Sequence, residues 1–279
     1  MTLRKRGVGM RIFSAAVLLL VGFFAFFPFY IMFKSSFETS AEILGHPFTL
    51  LPEDGFKWVN YVTIFSQYPI LRWLTNSFFV SFVVILGNLV FSTCAAYALA
   101  RLEFKGRNLI FVAVISMLIL PIQVLVVPLY LVVSQFGWTN NLIALIAPNL
   151  VSPFAIFLLR QAFISIPKEL DQAAVIDGCS RLGVLVRIIV PNALPSLATV
   201  MVIKFMWTWG DFMWPSLVLT SSQLKTLPVG IATFAVSPSL TMWDLVITAS
   251  VIGALPILIL FFVLQQYFVR GLMQGAVKG

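Results

Sequence analysis

The chain has 279 residues, of which 60% are hydrophobic and 10% are charged, and its mean hydropathy is +1.02. Soluble domains carry about 25% charged residues, because a surface that faces water needs them. The composition therefore excludes a water-soluble enzyme and predicts a membrane protein. The formal net charge of +8 also fits a nucleic-acid-binding protein, but in so apolar a chain it is expected to reflect membrane topology.

Six stretches are long and apolar enough to cross a bilayer, which takes about 20 residues in a helix. In chain order they are 12–33, 75–100, 108–133, 141–159, 192–219 and 245–269. The fourth contains Pro148 and Pro153, and the fifth ends irregularly around Gly210, so both are expected to bend or break. The sequence predicts an all-α membrane protein with six transmembrane helices.

The charged residues predict which side each loop faces. With the N-terminus in the cytoplasm, the cytoplasmic segments carry a net charge of +9 and the outer segments −2, while Lys204 falls within a span. Lys and Arg accumulate on the cytoplasmic side of membrane proteins. Both termini are therefore expected in the cytoplasm, and the basic charge is accounted for without nucleic acid.

The predicted spans divide the chain into segments. The first span follows a basic start, but at about 22 residues and without a small-residue cleavage site it is expected to be retained rather than removed as a signal peptide. The predicted segments are a cytoplasmic N-terminus at 1–11, a first helix at 12–33, an extracytoplasmic loop at 34–71, a five-helix core at 72–269 that contains a cytoplasmic loop at 165–191, and a cytoplasmic tail at 270–279. The aromatic-rich outer loop could receive a partner protein or lie against lipid.

Motifs of enzymatic chemistry are absent from the sequence. It contains no G-x-x-x-x-G-K-[ST] phosphate loop, no H-E-x-x-H and no G-x-S-x-G, and His46 is the single histidine. Cys94 and Cys179 stand 85 positions apart and form no metal-binding C-x-x-C pair. We therefore expect no catalytic residues and no metal site, and we expect any ATP to be bound by another chain.

The cytoplasmic segment 165–178 predicts a short helix. Pro167 suits a first helical turn, Glu169 and Asp171 complement the positive end of the helix dipole, and Gly178 can end the helix in a left-handed conformation.

A second helix is predicted directly after the first. Ser180 can cap it, and it would run to Pro191. Four residues of the first helix are spaced to share one face: Leu170, Ala173, Ala174 and Asp177. This face could enter a groove on a partner, or the helix could lie on the membrane surface.

The loop that contains these helices resembles a known motif. Its pattern Q-A-A-x3-G-x9-I-x-V-P, from Gln172 to Pro191, is similar to the E-A-A-x3-G-x9-I-x-L-P loop of permease subunits in bacterial ATP-binding-cassette (ABC) importers. Gln172 stands where the family has Glu, and Val190 stands where it has Leu. The first difference removes a carboxylate from the loop unless neighbouring Asp171 replaces it.

Other stretches resemble the carbohydrate-uptake class of these permeases, whose type is MalG of the maltose importer. They are AYALAR at 96–101, FKGRN at 104–108, IFLLR at 156–160, WGDFMWP at 209–215 and FVRGLMQGAVKG at 268–279. Together these matches extend over nearly the whole chain. The protein thus resembles the inner membrane component of a binding-protein-dependent transport system.

The resemblance implies a type I ABC importer permease fold in the bacterial inner membrane. It also implies several partners: a second, MalF-like permease subunit, two copies of an ATP-binding subunit that use ATP and Mg, an extracytoplasmic sugar-binding protein, and a carbohydrate substrate. No cofactor is expected in this chain itself. A polyol phosphate such as glycerol 3-phosphate is the alternative substrate, and a secondary transporter is the alternative class.

The same resemblance implies which residues couple transport to ATP hydrolysis. In the loop they are Asp171, Gln172, Ala173, Ala174, Asp177, Gly178, Ile188 and Pro191. In the C-terminal tail they are Gln274, Gly275 and Lys278. From its composition alone, the tail could instead be a basic end that is attracted to anionic lipid.

The fifth span contains the strongest candidates for a substrate pathway. The candidates there are Lys204, Trp207, Trp209 and Asp211. A cation among membrane spans indicates a functional site, because exposing it to lipid is costly. The alternatives are that Trp anchors the helix at the membrane interface and that Asp211 caps the helix. The secondary candidates, which could instead form hydrogen bonds between helices, are Asn76, Asn88, Gln123 and Asn149.

Overall fold

The computed structural model describes the backbone of residues 8–235 and 241–276, and the side chains of residues 9, 10, 12–235 and 241–263. All regular structure within these residues is helical, which confirms the predicted all-α class. The helices are α1 (Val8–Ser35), α2 (Ser40–Gly45), α3 (Val59–Gln67), α4 (Ile70–Arg101), α5 (Arg107–Ser116), α6 (Ile122–Gln135), α7 (Ile143–Ile146), α8 (Pro153–Ser165), α9 (Lys168–Ile176), α10 (Arg181–Val184), α11 (Val190–Asn192), α12 (Leu194–Trp209), α13 (Met213–Val218), α14 (Leu227–Ala232) and α15 (Trp243–Ala276).

Four segments are long and apolar enough to span a membrane. They are Ile12–Ser35, Ile70–Arg101, Ile143–Ser165 and Trp243–Val263. The helical segments Arg181–Asn192 and Leu194–Trp209 would together make a fifth, with an 80° bend between them. The chain is thus a multi-pass membrane protein in which four or five of the described segments meet the requirements of a span.

The third span is not the single helix that the sequence predicts. Instead of one helix over 108–133, two shorter apolar helices, α5 and α6, are separated by a break before Pro121. Proline has no backbone N–H and disfavours a helical conformation in the residue before it, so a single helix does not continue through this point.

The breaks predicted in the fourth and fifth spans are present. A short 3-10 turn at Ala147–Asn149 follows α7, and α8 begins at Pro153. Helix α12 ends at Trp209, and Gly210 follows it. These breaks leave irregular backbone within apolar sequence, which membrane proteins tolerate where it lines a cavity.

The chain divides into two compact units. One comprises Met1–Ile70 and Ile231–Ala254, and the other comprises Leu71–Gly230 and Leu255–Gly279. The smaller unit thus contains α1 and the predicted outer loop, and the larger unit contains the candidate substrate residues and the loop at 165–191 that is predicted to be cytoplasmic, called the cytoplasmic loop below.

A buried ion pair lies at the end of α1 in the smaller unit. Lys34 Nζ is 2.8 Å from Glu38 Oε2, and both side chains are at most 2% exposed. The amide of Asn60 donates to the carbonyl oxygens of Ser36 and Glu38, at 3.0 and 2.8 Å. The sequence placed Lys34 in a hydrophilic outer loop, but α1 continues past it, and the acid one turn later compensates its charge.

The core of the larger unit holds the cytoplasmic loop in place. Ala174 of α9 is 6% exposed and belongs to a cluster of buried residues that includes Ala100, Leu159, Phe163 and Leu185. These residues come from α4, α8 and the segment after α10, so α9 packs directly against the ends of longer helices.

Candidate functional site

The first helix of the cytoplasmic loop ends as its sequence predicts. Helix α9 begins after Pro167, and Gly178 has a φ of 83°. The N–H of Cys179 donates to the carbonyl of Ala174 at 2.9 Å, and the N–H of Gly178 donates to the carbonyl of Val175 at 3.0 Å. This pair of bonds is the Schellman motif, which needs a left-handed residue and therefore favours glycine.

The second helix of the loop is less regular than predicted. Ser180 caps α10 by accepting a 3.1 Å hydrogen bond from the N–H of Gly183. A π-helical stretch, Leu185–Ile189, follows, and the helical segment ends at Asn192, one residue beyond Pro191. The bend that precedes α12 therefore lies where the sequence predicts a helix end.

The predicted shared face of α9 is divided between two environments. Ala174 packs inward, whereas Leu170 is 42% exposed, and Ala173 and Asp177 are also exposed. The most exposed large apolar side chain of the helix is Ile176, at 85%. One side of α9 is therefore anchored in the fold, and no residue in the described part of the chain covers its other side.

The acidic residue beside Gln172 is engaged inside the chain. Asp171 Oδ2 lies 3.2 Å from Arg101 Nε at the end of α4, and the Arg101 side chain is 3% exposed. Gln172 itself is exposed. Asp171 thus does not present a free carboxylate in place of the one that Gln172 lacks.

The C-terminal candidates lie at the limit of the described residues. Helix α15 continues to Ala276, so the backbone at Gln274 and Gly275 is helical. Their side chains, and the whole of Lys278, lie outside the described residues.

A second candidate site is a cavity of about 500 Å³ in the larger unit. Its polar and aromatic lining comes from α12, the break after it, the start of α13, the turn before α8 and the first residues of α8. Residues of this lining include Lys204, Trp207, Thr208, Asp211, Asn149 and Phe154. The structure therefore brings three of the four main candidates from the fifth span into one cavity.

Lys204 is the buried cation of this cavity. The residue is 8% exposed, and its Nζ donates a 2.9 Å hydrogen bond to Asn149 Oδ1. An ammonium group has three donors, so further donors remain for a ligand or for water. The amide of Asn149 lies on the 3-10 turn before Pro153, and this explains how a broken span contributes a polar group to the site.

The other candidates of the cavity combine an aromatic surface with a carboxylate. Trp207 is 54% exposed, and its ring lies 5.3 Å from the ring of Phe154. Asp211 Oδ1 accepts a 3.4 Å hydrogen bond from the N–H of Trp214 at the start of α13. Asp211 thus lines the cavity and also accepts a hydrogen bond in the first turn of α13, which is a different helix from the fifth span whose end it was expected to cap.

Four predicted residues are not part of the cavity lining: Asn76, Asn88, Gln123 and Trp209. Trp209 is 3% exposed and packs against the rings of Phe78 and Phe205, at 4.7 and 5.4 Å. Asn88 is fully buried, and Gln123 is exposed. Phe154 and Thr208 are among the lining residues that sequence reasoning missed, although Phe154 directly follows Pro153, where a break was expected.

Among the residues that the structure describes, no group of three or more His, Cys, Asp or Glu side chains could hold a metal ion.

Residues 88–274 match the family described as binding-protein-dependent transport system inner membrane component. The chain belongs to this family. It is an ABC transporter permease, which is a transport component and not an enzyme. The resemblance seen in the sequence is thereby confirmed.

Curated relatives match the chain over most of its length. The arabinooligosaccharides transport system permease protein AraQ of Halalkalibacterium halodurans is 36% identical, over 93% of each chain. The trehalose/maltose transport system permease protein MalG of Thermococcus litoralis is 36% identical, over 94% of each chain. The sn-glycerol-3-phosphate transport system permease protein UgpE of Escherichia coli O1:K1 is 33% identical, over 95% of this chain and 97% of its own.

A solved structure has the same fold. It is a crystal structure of a bacterial ABC transporter involved in the import of the acidic polysaccharide alginate. The TM-score is 0.80 at 23% sequence identity, and the match covers 95% of this chain and 99% of the other. The fold is therefore that of a type I ABC importer permease.

Proposed function

We propose that the chain is one of two permease subunits through which an ATP-driven importer moves a carbohydrate across the bacterial inner membrane. The observation that carries this proposal is the cavity in which Lys204 and Asp211 lie beside the exposed ring of Trp207. Two of its relatives, AraQ and MalG, are named for oligosaccharide or disaccharide transport.

The chemistry of the cavity suits a sugar. Sugars present hydroxyl groups that donate and accept hydrogen bonds, and ring faces with C–H groups that pack on aromatic side chains. The Lys204 ammonium supplies donors, the Asp211 carboxylate supplies acceptors, and Trp207 supplies an aromatic face. A volume of about 500 Å³ lies within the range of small-molecule sites.

The proposed assembly follows from the family. The chain crosses the membrane six times with both termini in the cytoplasm, and helices α5 and α6 together make the third span. Its partners are a MalF-like permease, an extracytoplasmic sugar-binding protein and two copies of an ATP-binding subunit. ATP and Mg act in those ATP-binding subunits, and no cofactor is bound by this chain.

The cytoplasmic loop is the proposed contact with one ATP-binding subunit. Exposed apolar side chains on it, Ile176 and Leu182, are 85% and 65% exposed, and a groove on a partner would bury them. Gly178 sets the turn between the two helices that carry these side chains, Ile176 at the end of α9 and Leu182 near the start of α10. When the ATP-binding subunits close, the loop moves with them and changes the side to which the pathway opens.

The substrate can be tested in the complete transporter. The chain is expressed with its chromosomal neighbours, and the partner binding protein is screened by thermal shift against arabinotriose, trehalose, maltotriose and sn-glycerol 3-phosphate. We expect a sugar to raise its melting temperature and to enter proteoliposomes only with internal ATP. Failure of an ATP-binding subunit to co-purify, or uptake that depends on an ion gradient without ATP, would refute the proposal.

A polyol phosphate is the second candidate substrate. UgpE is named for sn-glycerol 3-phosphate transport, and the buried cation Lys204 could contact a phosphate. Asp211 lines the same cavity, however, and its carboxylate opposes an anion there. A thermal shift with sn-glycerol 3-phosphate and with none of the three sugars would favour this candidate.

A further inference from the structure

Arg101, at the end of α4, contacts two points of the cytoplasmic loop. Its Nε lies 3.2 Å from Asp171 Oδ2 on α9, and its Nη2 donates a 2.7 Å hydrogen bond to the carbonyl oxygen of Ile166. The side chains of Arg101 and Asp171 are 3% and 19% exposed. One guanidinium group thus joins α4 both to the segment that leads into α9 and to α9 itself.

We propose that Arg101 is a positioning residue that fixes α9 to the cytoplasmic end of α4, so that the two helices move as one when the ATP-binding subunits close. The inference rests on the proposed function, because it requires that α9 contacts such a subunit. It assigns to Asp171 a role inside this chain, as the acceptor of the Arg101 charge, rather than a role at the partner surface.

The geometry of an arginine suits this task. Its Nη2 donates a directed hydrogen bond to the carbonyl of Ile166, while its positive charge compensates Asp171 across the Nε–Oδ2 contact, which is an ion pair and not a hydrogen bond. Apolar packing supports the same contact, because Ala100 and Ala174 belong to one buried cluster. Loss of one member of a buried ion pair leaves the other charge without compensation, so replacing either Arg101 or Asp171 alone is expected to weaken the contact.

Nearby charged residues are placed differently. Glu103 and Lys105, which directly follow α4, are both exposed, and the structure gives neither an ion pair among the residues it describes. Asp171 Oδ1 is buried and accepts no hydrogen bond within the described part of the chain. The Asp171 carboxylate therefore depends on Arg101 for its charge compensation here, and substitution of Lys105 provides a matched control.

The contact can be measured as a distance in the complete transporter. Spin labels are placed at Glu103→Cys and Lys168→Cys in a Cys94→Ser/Cys179→Ser background, in nanodiscs, without nucleotide and with MgATP and vanadate. We expect the distance between the labels to be unchanged by nucleotide. In Arg101→Gln and in the isosteric Asp171→Asn, we expect the distance distribution to broaden about twofold, because the remaining charge is left buried and unpaired. The Lys105→Gln control is expected to match the parent protein.

A double substitution separates a specific pair from a general structural effect. If Arg101 and Asp171 act through each other, Arg101→Gln/Asp171→Asn broadens the distribution no further than either single change. MgATP hydrolysis by the complex is measured alongside and is expected to stay within about twofold of the parent, because coupling and not the ATP site is altered. An unchanged distribution in both single variants, or additive broadening in the double variant, would overturn the inference. Absence of an ATP-binding subunit from the parent complex would instead refute the proposed function, and the nucleotide-free distances would still decide the contact.

Discussion

Lys204 and Asn149 lie 55 positions apart in the sequence, and a 2.9 Å hydrogen bond joins the ammonium of one to the amide oxygen of the other. The bond connects α12 to the 3-10 turn of the broken segment before α8. Because both residues line the candidate cavity, the contact sets the position of a cation where a substrate would pass. The bond also holds the amide of Asn149, which lies on an interrupted span, at the cavity.

Lys204→Met is expected to lower substrate uptake about 5- to 150-fold without preventing assembly. The substrate group that Lys204 would contact is left without a donor in the cavity, and an unsatisfied buried polar group costs about 1–3 kcal/mol. Methionine keeps the length of the side chain and removes its donors. The measurement is ATP-dependent uptake into proteoliposomes. The substrate is the one of the four screened compounds that raises the melting temperature of the binding protein.

Lys105→Met, which removes an exposed cation outside the spans, serves as the control and should transport normally. Normal uptake by Lys204→Met would mean that Lys204 only joins two helices.

Gly178→Ala is expected to weaken the coupling of transport to ATP hydrolysis that we propose for the cytoplasmic loop. Gly178 has a φ of 83°, and nothing lies within 4 Å of a Cβ added there, so the cost is conformational and not steric. A left-handed conformation costs a residue with a side chain about 1–2 kcal/mol. ATP hydrolysis should continue while uptake per ATP falls, and the ratio of the two rates is the measurement.

Gly183→Ala provides the comparison on the same loop. Gly183 does not have a left-handed φ, and an added Cβ would meet Ser180 Oγ at 3.4 Å, which is an ordinary contact. Equal losses of coupling in the two variants would argue against the turn at Gly178 as their cause.

The buried pair of Lys34 and Glu38 predicts a strong non-additive effect on stability. Lys34→Met alone should destabilise the protein by about 3–5 kcal/mol, because it leaves the Glu38 charge buried without a partner. Lys34→Met/Glu38→Leu should be more stable than either single variant, since both charges are removed together. Thermal unfolding of the purified protein in detergent measures the three variants.

The exposed pair of Lys57 and Asp54 is the matched control. Its side chains are 28% and 69% exposed, so Asp54→Asn, which leaves the contact of Lys57 with Glu42 in place, should lower the melting temperature much less than Lys34→Met does. A double variant at Lys34 and Glu38 that is less stable than both single variants would contradict the argument from an uncompensated charge.

The sequence predicts helix breaks and capped turns well, because single residues determine them. Pro153 and Gly210 mark breaks that the structure contains, and Gly178 ends α9 in the left-handed conformation expected of it. These features follow from the missing N–H of proline and the missing side chain of glycine.

Contacts between distant segments could not be predicted in the same way. Nothing local distinguishes Trp207, which lines the cavity, from Trp209 two residues later, which is buried in an aromatic cluster. The two side chains differ by about 200° around a helix, so their environments depend on which helix packs on each side. The pairing of Arg101 with Asp171 likewise requires the fold, since 70 positions separate them.

The lowered pKa of Glu42, in the predicted outer loop, leads us to expect that the stability of the protein depends on pH. A hydrogen bond from the Thr39 N–H, at 2.7 Å, together with the Thr39 hydroxyl and Lys57, lowers the pKa of Glu42 from 4.5 to about 2. Because the folded pKa lies below the unfolded one, the stabilisation is fully present above pH 4.5 and is lost as the pH falls toward 2.

Comparison with a variant isolates this contribution. The melting temperature of the parent should exceed that of Glu42→Gln at pH 6, and the difference should shrink as the pH falls from 4.5 toward 2. Glu53→Gln, which removes a carboxylate that is 50% exposed, is the comparison variant for a general effect of lost charge. A difference between parent and Glu42→Gln that stays constant down to pH 2.5 would contradict the prediction, because the protonated carboxyl of Glu42 would then cap α2 as well as the carboxylate does.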